Sequence, residues 1–204
     1  MPIDLATALA LSQTCAPSVA AVTLVSVVRV ESGFDPLAIG VNGRHHIQLH
    51  PVSTAAAVAT AQRLIARGAN LDLGLGQINA RNLGPLGLSV ADAFDPCRNL
   101  AASAQVIAAG YVRADPQPGA EQVALRTSLS FYNTGTTWRG FANGYVAKVT
   151  AAADQVVPAL QPDGPTPLAP SRRAPPSPPT WDVFAQAAGP VAGFVFTPAS
   201  GDRH

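Results

Sequence analysis

Proline divides this chain in two. Eleven of its 19 prolines lie from Pro158 onward, with the densest run at Pro175, Pro176, Pro178 and Pro179. Each proline removes a backbone donor and is excluded from a helix interior. Residues 158–204 are therefore expected to form a proline-rich, disordered tail. Within it, Thr180-Trp181-Asp182-Val183-Phe184 is an apolar island of the kind that docks onto a partner. The fold is left to residues 1–157, a length suited to one domain.

Upstream of that break, helical spacing dominates. Leu100, Ala104, Ile107 and Tyr111 recur at i, i+4, i+7, i+11 behind an Asp95-Pro96 start. Leu125, Leu129 and Tyr132 repeat the stripe, as do Tyr145, Val149, Ala152 and Val156, and such stripes give a helix one buried face. Residues 3–14 and 18–32 read as two opening helices parted by Ala16-Pro17, with Ser18 as the expected N-cap of the second. The alanine-rich stretch 53–67 predicts a helix that stops at Gly68. The turn-rich pieces 39–50 and 70–79 leave room for a small hairpin. No internal repeat is present. The expected class is mainly α (α+β), with a minor β element.

Composition excludes several functions. The net charge is +1 and the 13 basic residues are scattered, with only Arg172 and Arg173 adjacent, so the basic face of a nucleic-acid binder is missing. The most apolar run, residues 19–30, is broken by Thr23, Ser26 and Arg29 and falls short of the roughly 18 residues a membrane span needs. The apolar segment 5–11 follows Asp4, with no Lys or Arg before Arg29, so the positively charged start of a secretory signal is not visible. Cys15 and Cys97 are the two cysteines. The plain reading is two separate buried thiols; the sharper one is a disulfide tying the N-terminal helix to a later one.

Chemistry narrows to one carboxyl. The only glutamates are Glu31 and Glu121. Glu121 lies in the first turn of a helix, where a carboxylate meets the helix dipole favourably. Glu31 continues the stripe Leu24, Val28 at i+7, on the helix face that is buried. Burial raises a carboxyl's pKa and keeps it protonated closer to neutrality, as a general acid for a glycosidic oxygen requires. The competing reading is a helix-terminal Glu exposed before Gly33 or paired to a nearby Arg. Three features favour chemistry: Ser32 beside it, the Gly74-Leu75-Gly76-Gln77-Ile78-Asn79 turn with its two amides, and Phe131-Tyr132-Asn133-Thr134-Gly135 at a helix end. Amides and hydroxyls both donate and accept, which suits sugar hydroxyl and N-acetyl groups. Asp35, ahead of Pro36, is expected to be a turn residue. His45, His46 and His50 are expected to be a solvated or substrate-facing hairpin. No Cys or acid cluster joins them, and no metal or cofactor is expected.

Glu31-Ser32, the Gly-Leu-Gly-Gln-Ile-Asn segment and Tyr132-Asn133-Thr134-Gly135 resemble, in that order, the three signature blocks of the soluble lytic transglycosylases. The sequence is most similar to their type IV secretion-associated branch, on Cys15-Ala16-Pro17-Ser18-Val19, on Glu31 through Ala38, on Phe141-Ala142-Asn143-Gly144-Tyr145-Val146 and on Thr180-Trp181-Asp182-Val183. The resemblance implies a goose-type lysozyme-like domain over residues 1–157. It implies cleavage of the β-1,4 bond between N-acetylmuramic acid and N-acetylglucosamine to leave 1,6-anhydromuramyl ends, with Glu31 as the sole acid and base. Ser32, Gln77, Asn79, Tyr132 and Asn133 would line the glycan cleft, with Tyr132 orienting Glu31 or the acetamido group. It further implies a periplasmic setting, peptidoglycan strands as substrate, a Cys15–Cys97 disulfide, and secretion-system partners reached through the tail. A hydrolytic muramidase and a non-catalytic glycan-binding module that recruits such partners are the alternatives. One departure stands out: the family block has a bulky methionine where this chain has Gly76. That is expected to open one wall of the cleft, with Phe131 refilling part of it.

Overall fold

A computed structural model describes residues 1–157. Expectations about residues 158–204, including the disordered tail and its Thr180–Phe184 island, lie outside the described residues. The opening helices are α1 (Leu5–Cys15) and α2 (Ala21–Glu31). Asp4 caps α1 by accepting from the Thr7 N–H at 2.7 Å. Ser18 does not cap α2: the helix starts three residues later, behind Ala20, with no side-chain cap. Pro17 and Ser18 instead form a turn in which the Val19 N–H bonds the Ala16 carbonyl at 3.3 Å.

Strands β1 (Ile39–Asn42) and β2 (Ile47–Leu49) precede helix α3 (Thr54–Ala66), and β3 (Asn70–Leu73) and β4 (Ile78–Asn79) come after it. The two turn-rich pieces thus form more than a hairpin. They make one antiparallel sheet in the order β2-β1-β3-β4. Ser53 caps α3 through the Ala56 N–H, and Gly68 closes it at φ +80°, a left-handed conformation that glycine adopts without steric cost.

Four helices complete the domain: α4 (Pro96–Arg113), α5 (Glu121–Thr134), α6 (Arg139–Ala142) and α7 (Tyr145–Val156). Asp95 caps α4 with Pro96 in its first turn, where a missing N–H costs nothing. The sequence stripes form the main core. Leu24 and Val28 of α2, Leu100 and Ile107 of α4, Leu129 of α5 and Val149 of α7 pack together, each at most 1% exposed. A second cluster joins Ile39, Leu71 and Leu73 of the sheet to Ala57 and Ala61 of α3 and to Ala102 of α4. Alanines let α3 lie close on the sheet. The Cys15–Cys97 disulfide ties the end of α1 to the start of α4, across a sequence separation of 82.

Candidate active site

The sheet supplies one wall of a cleft. Side chains along a strand alternate between faces, and register aligns those of neighbouring strands. Gln48 pairs with Gly40, Gly40 with Asp72, and Asp72 with Asn79, while Asn42 pairs with Asn70. This polar row lines the cleft, and the alternate row, Ile39, Leu71, Leu73 and Ile78, is buried in the core. Gly40 matters in this row. A Cβ there would stand 2.8 Å from Gln77 Oε1 and 3.1 Å from the His46 ring, so a larger residue would crowd both side chains at the strand.

Glu31 rises from the opposite wall, at the last turn of α2. It borders both of two adjoining hollows, one running to Asn70, Asn79, Asn82 and Tyr132, the other to His46, Gln48 and Lys148. The phenol of Tyr145 donates to Glu31 Oε1 at 2.5 Å. Burial pushes the Glu31 carboxyl up from 4.5 to about 7; the Tyr145 bond opposes that shift, and the negative charge of Asp72 adds to it. Burial, reinforced by Glu31, also holds the Tyr145 hydroxyl well above its usual range, so Tyr145 stays a donor. A carboxyl in this setting gives up a proton near neutrality and takes one back.

The amide turn is rigid. Gln77 sits at φ +51°, uncommon for a residue with a Cβ. Its amide N–H groups bond the Gly74 carbonyl at 2.8 Å and the Ala38 carbonyl at 3.2 Å, leaving its oxygen as an acceptor beside the cleft. Asn79 donates to Asp72 Oδ1 at 2.7 Å and to Asn70 at 2.8 Å. Asn42 donates to the other Asp72 oxygen at 2.6 Å. Both oxygens of Asp72 are thereby fixed on the cleft wall.

Tyr132 lines the cleft beside Glu31, but its hydrogen bonds go elsewhere. Its hydroxyl donates to the Gly76 carbonyl at 2.5 Å and lies 3.2 Å from Ser103 Oγ; burial raises its pKa far above the usual value. The hydroxyl that bonds Glu31 is that of Tyr145. Gly76 does not leave an open wall either. A Cβ there would overlap the Ser103 hydroxyl and stand 2.8 Å from the Tyr132 hydroxyl, so those two groups already fill the space. Phe131 takes no part in it. Its ring lies under the Arg113 guanidinium, 4.9 Å away, in a hollow with Leu86 and Val106.

Of the other expected site residues, Asn133 borders the cleft and accepts from Asn143 at 2.8 Å. Ser32 stands apart, buried, with its hydroxyl 3.3 Å from the Val28 carbonyl. Asp35 is a turn residue, accepting from the Leu37 N–H at 3.0 Å and pairing with His50 at 2.7 Å. His46 faces the cleft. Among the described residues no three His, Cys, Asp or Glu side chains converge, and no helix is long and apolar enough to cross a membrane. Glu121 accepts from the Gly119 N–H at the start of α5.

Asp72 and Tyr145 are the residues that sequence reasoning missed. Asp72 had a signal, the polar–apolar alternation Asn70-Leu71-Asp72-Leu73. Tyr145 stood in its helical stripe and in the Phe141–Val146 block of the resemblance, but neither pointed to Glu31, because their contact spans 114 positions.

Comparison with known families matches residues 8–154 to the Transglycosylase SLT domain. A protein of Brucella abortus named Type IV secretion system protein virB1 is 45% identical over 152 residues, which are 72% of this chain and 63% of that protein. The chain therefore spans less than two thirds of that relative. Protein virB1 of Rhizobium radiobacter is 43% identical over 85% of this chain and 70% of its own length, and that of Agrobacterium fabrum is 41% identical over 85% and 68%. No solved structure matches the chain significantly.

Proposed function

The chain belongs to the Transglycosylase SLT domain family, and we propose that it is a lytic transglycosylase that cuts the peptidoglycan bond between N-acetylmuramic acid and N-acetylglucosamine. The observation that supports this best is Glu31: a carboxyl titrating near 7, held by Tyr145, where two halves of a polar cleft meet. Protonated Glu31 gives its proton to the bridging oxygen as the bond from muramyl C1 to that oxygen breaks. The muramyl 6-hydroxyl then attacks C1 and returns its proton to Glu31. Acid and base are one group, no water is consumed, and the product is a 1,6-anhydro end. The substrate supplies the nucleophile that a second carboxylate supplies in most glycosidases.

Gln77, Asn79 and Asn133 offer amides to the N-acetyl and hydroxyl groups of the strand. Tyr132 acts at one remove, by fixing the Gly76 carbonyl in the turn that presents Gln77. The relatives' names support a setting in which the cut opens the periplasmic cell wall for a type IV secretion system. Residues 158–204 are proposed to reach its other components.

Asp72 favours a second reading, hydrolysis. It is a carboxylate on the facing wall of the same cleft, available to align a water against C1. The products separate the two. Mass spectrometry of muropeptides released from purified sacculi is expected to find anhydro ends, lighter by one water than reducing ends. Reducing ends alone would make this chain a muramidase, and no release would leave a glycan-binding module. Glu31→Gln should lower release by about 10³-fold or more, toward the upper end of what general acid–base assistance supplies, because no second group can take over both roles.

A further inference from the structure

The two hollows that meet at Glu31 differ in charge. The one bordered by Asn70, Asn79 and Asn82 contains no basic side chain. The other, of about 470 Å³, is bordered by Lys148, with His46 and Gln48 across from it. Through Asn133 and Asn143 this second hollow adjoins a surface depression containing Trp138 and Arg139. Lys148 therefore borders only one of the two hollows that meet at Glu31.

Lys148 is well placed to read a substrate. It lies three positions after Tyr145 on α7, so the two share a helix face one turn apart, and Tyr145 holds Glu31. Lys148 is exposed and enters neither of the salt bridges found among the described residues. Asp72 has no need of it as a counter-ion, since both its oxygens accept amides. A lysine ammonium is a compact charge on a flexible stem with three donors, suited to a carboxylate whose position varies.

Peptidoglycan offers such a carboxylate on every second sugar. Muramyl residues bear a lactyl arm at O3, ending in a carboxylate or in a peptide that has its own. We propose that the Lys148 side of the cleft binds a carboxylate borne on this lactyl arm, and that Lys148 is a positioning residue for strand register. The proposal rests on the glycan-cleaving reading above. Along a strand of two alternating sugars, Glu31 meets two kinds of glycosidic bond, and one-sugar slippage exchanges them. A cation on one side of Glu31 favours the register that brings a muramyl arm to it. The other side, lined by amides and the Asp72 carboxylate with no cation, has no such preference.

Binding to the full chain in a Glu31→Gln background tests this without reading cleavage. Three ligands of matched length are titrated: stem-bearing murein strands, strands stripped by an amidase to the bare lactyl carboxylate, and chitooligosaccharide, which has no acid. Murein is expected to bind on the order of 5-fold tighter than chitooligosaccharide at low salt, an increment typical of a solvent-accessible ion pair. The preference should shrink at about 0.5 M salt through screening. Adding Lys148→Gln should bring the ratio near one, and Lys148→Arg should keep it. Whichever murein loses its advantage in the Gln variant holds the carboxylate, of the peptide or of the arm. Equal binding of murein and chitooligosaccharide, a preference that survives Lys148→Gln, or binding of none of the three would overturn the proposal. Cleavage of sacculi by the wild type stands or falls separately.

Discussion

At the scale of single residues, the burial that keeps Glu31 protonated near neutrality also costs stability. Glu31 holds its proton to about 7 when folded and releases it near 4.5 when unfolded. Below 4.5 both states are protonated and pH has no effect through this group. Between 4.5 and about 7 only the folded state keeps the proton, so stability falls as pH rises. Above that window the loss is complete, roughly 3 kcal/mol at most. Glu31→Gln removes this slope. Its Tm should exceed that of the wild type near pH ~8, with the gap closing near pH ~4. Calorimetry at both pH values checks this, and a constant gap would mean that Glu31 is not desolvated. Gly76 yields a second expectation. Gly76→Ala should destabilise by about 1–3 kcal/mol, the usual cost of overpacking, because its Cβ overlaps the Ser103 hydroxyl. Ser103→Ala should recover part of that loss in the double variant, as denaturant titration would show; additive losses would place the strain elsewhere. Glu31 itself was legible in the sequence because its helical stripe is local. The occupant of the space around Gly76 was not, since Ser103 and Tyr132 arrive from two other helices.

At the scale of elements, local chemistry marks most boundaries. Asp4, Ser53 and Asp95 each cap a helix with their own side chain, and Gly135 ends α5 at φ +69°. Ser18 had the right residue type but the wrong place: the Ala16–Val19 turn takes the chain past it before the helix begins. Nothing in a propensity distinguishes a cap from a turn residue two positions earlier. The sheet was half legible for a similar reason. Alternation marks each strand, but the β1–β3 pairing joins residues about thirty positions apart, and only tertiary packing selects it. The disulfide is the strongest tie between elements. With a separation of 82, closing its loop restricts the unfolded chain by about 4–5 kcal/mol in the chain-entropy model. Cys15→Ser, or reduction of the wild type, should lower unfolding free energy by up to that amount. The variant should then be insensitive to reductant. Denaturant titration with and without reductant measures both; no change on reduction would mean that the bridge does not restrain the unfolded chain.

At the scale of the whole molecule, the packed core of the described residues and the family match cover nearly the same stretch. Among the described residues, the buried side chains of the core clusters fall between Ala8 and Val156, and the family match covers residues 8–154. Glu31, Asp72, Gln77, Tyr132, Asn133 and Tyr145 all lie inside that span, and every hydrogen bond described for them has its partner there. The last turn of α7 is closed by Val156, fully buried in a cluster with Leu9 of α1 and Val25 of α2, so the end of α7 is held in the core. Folding and cleavage should then need nothing beyond Val157, whereas any partner reached through Trp181 and Phe184 should need residues 158–204. Removing those residues is expected to shift Tm by less than about 2 °C, the equivalent of well under one core contact in a domain of this size. Release of muropeptides by the shortened chain should match the full chain in rate and in end chemistry. Thermal melting and sacculus digestion of the two, side by side, decide it. A marked drop in Tm would mean that the proline-rich part packs on the domain after all. An unchanged Tm with lost digestion would mean that it helps hold the strand in the cleft.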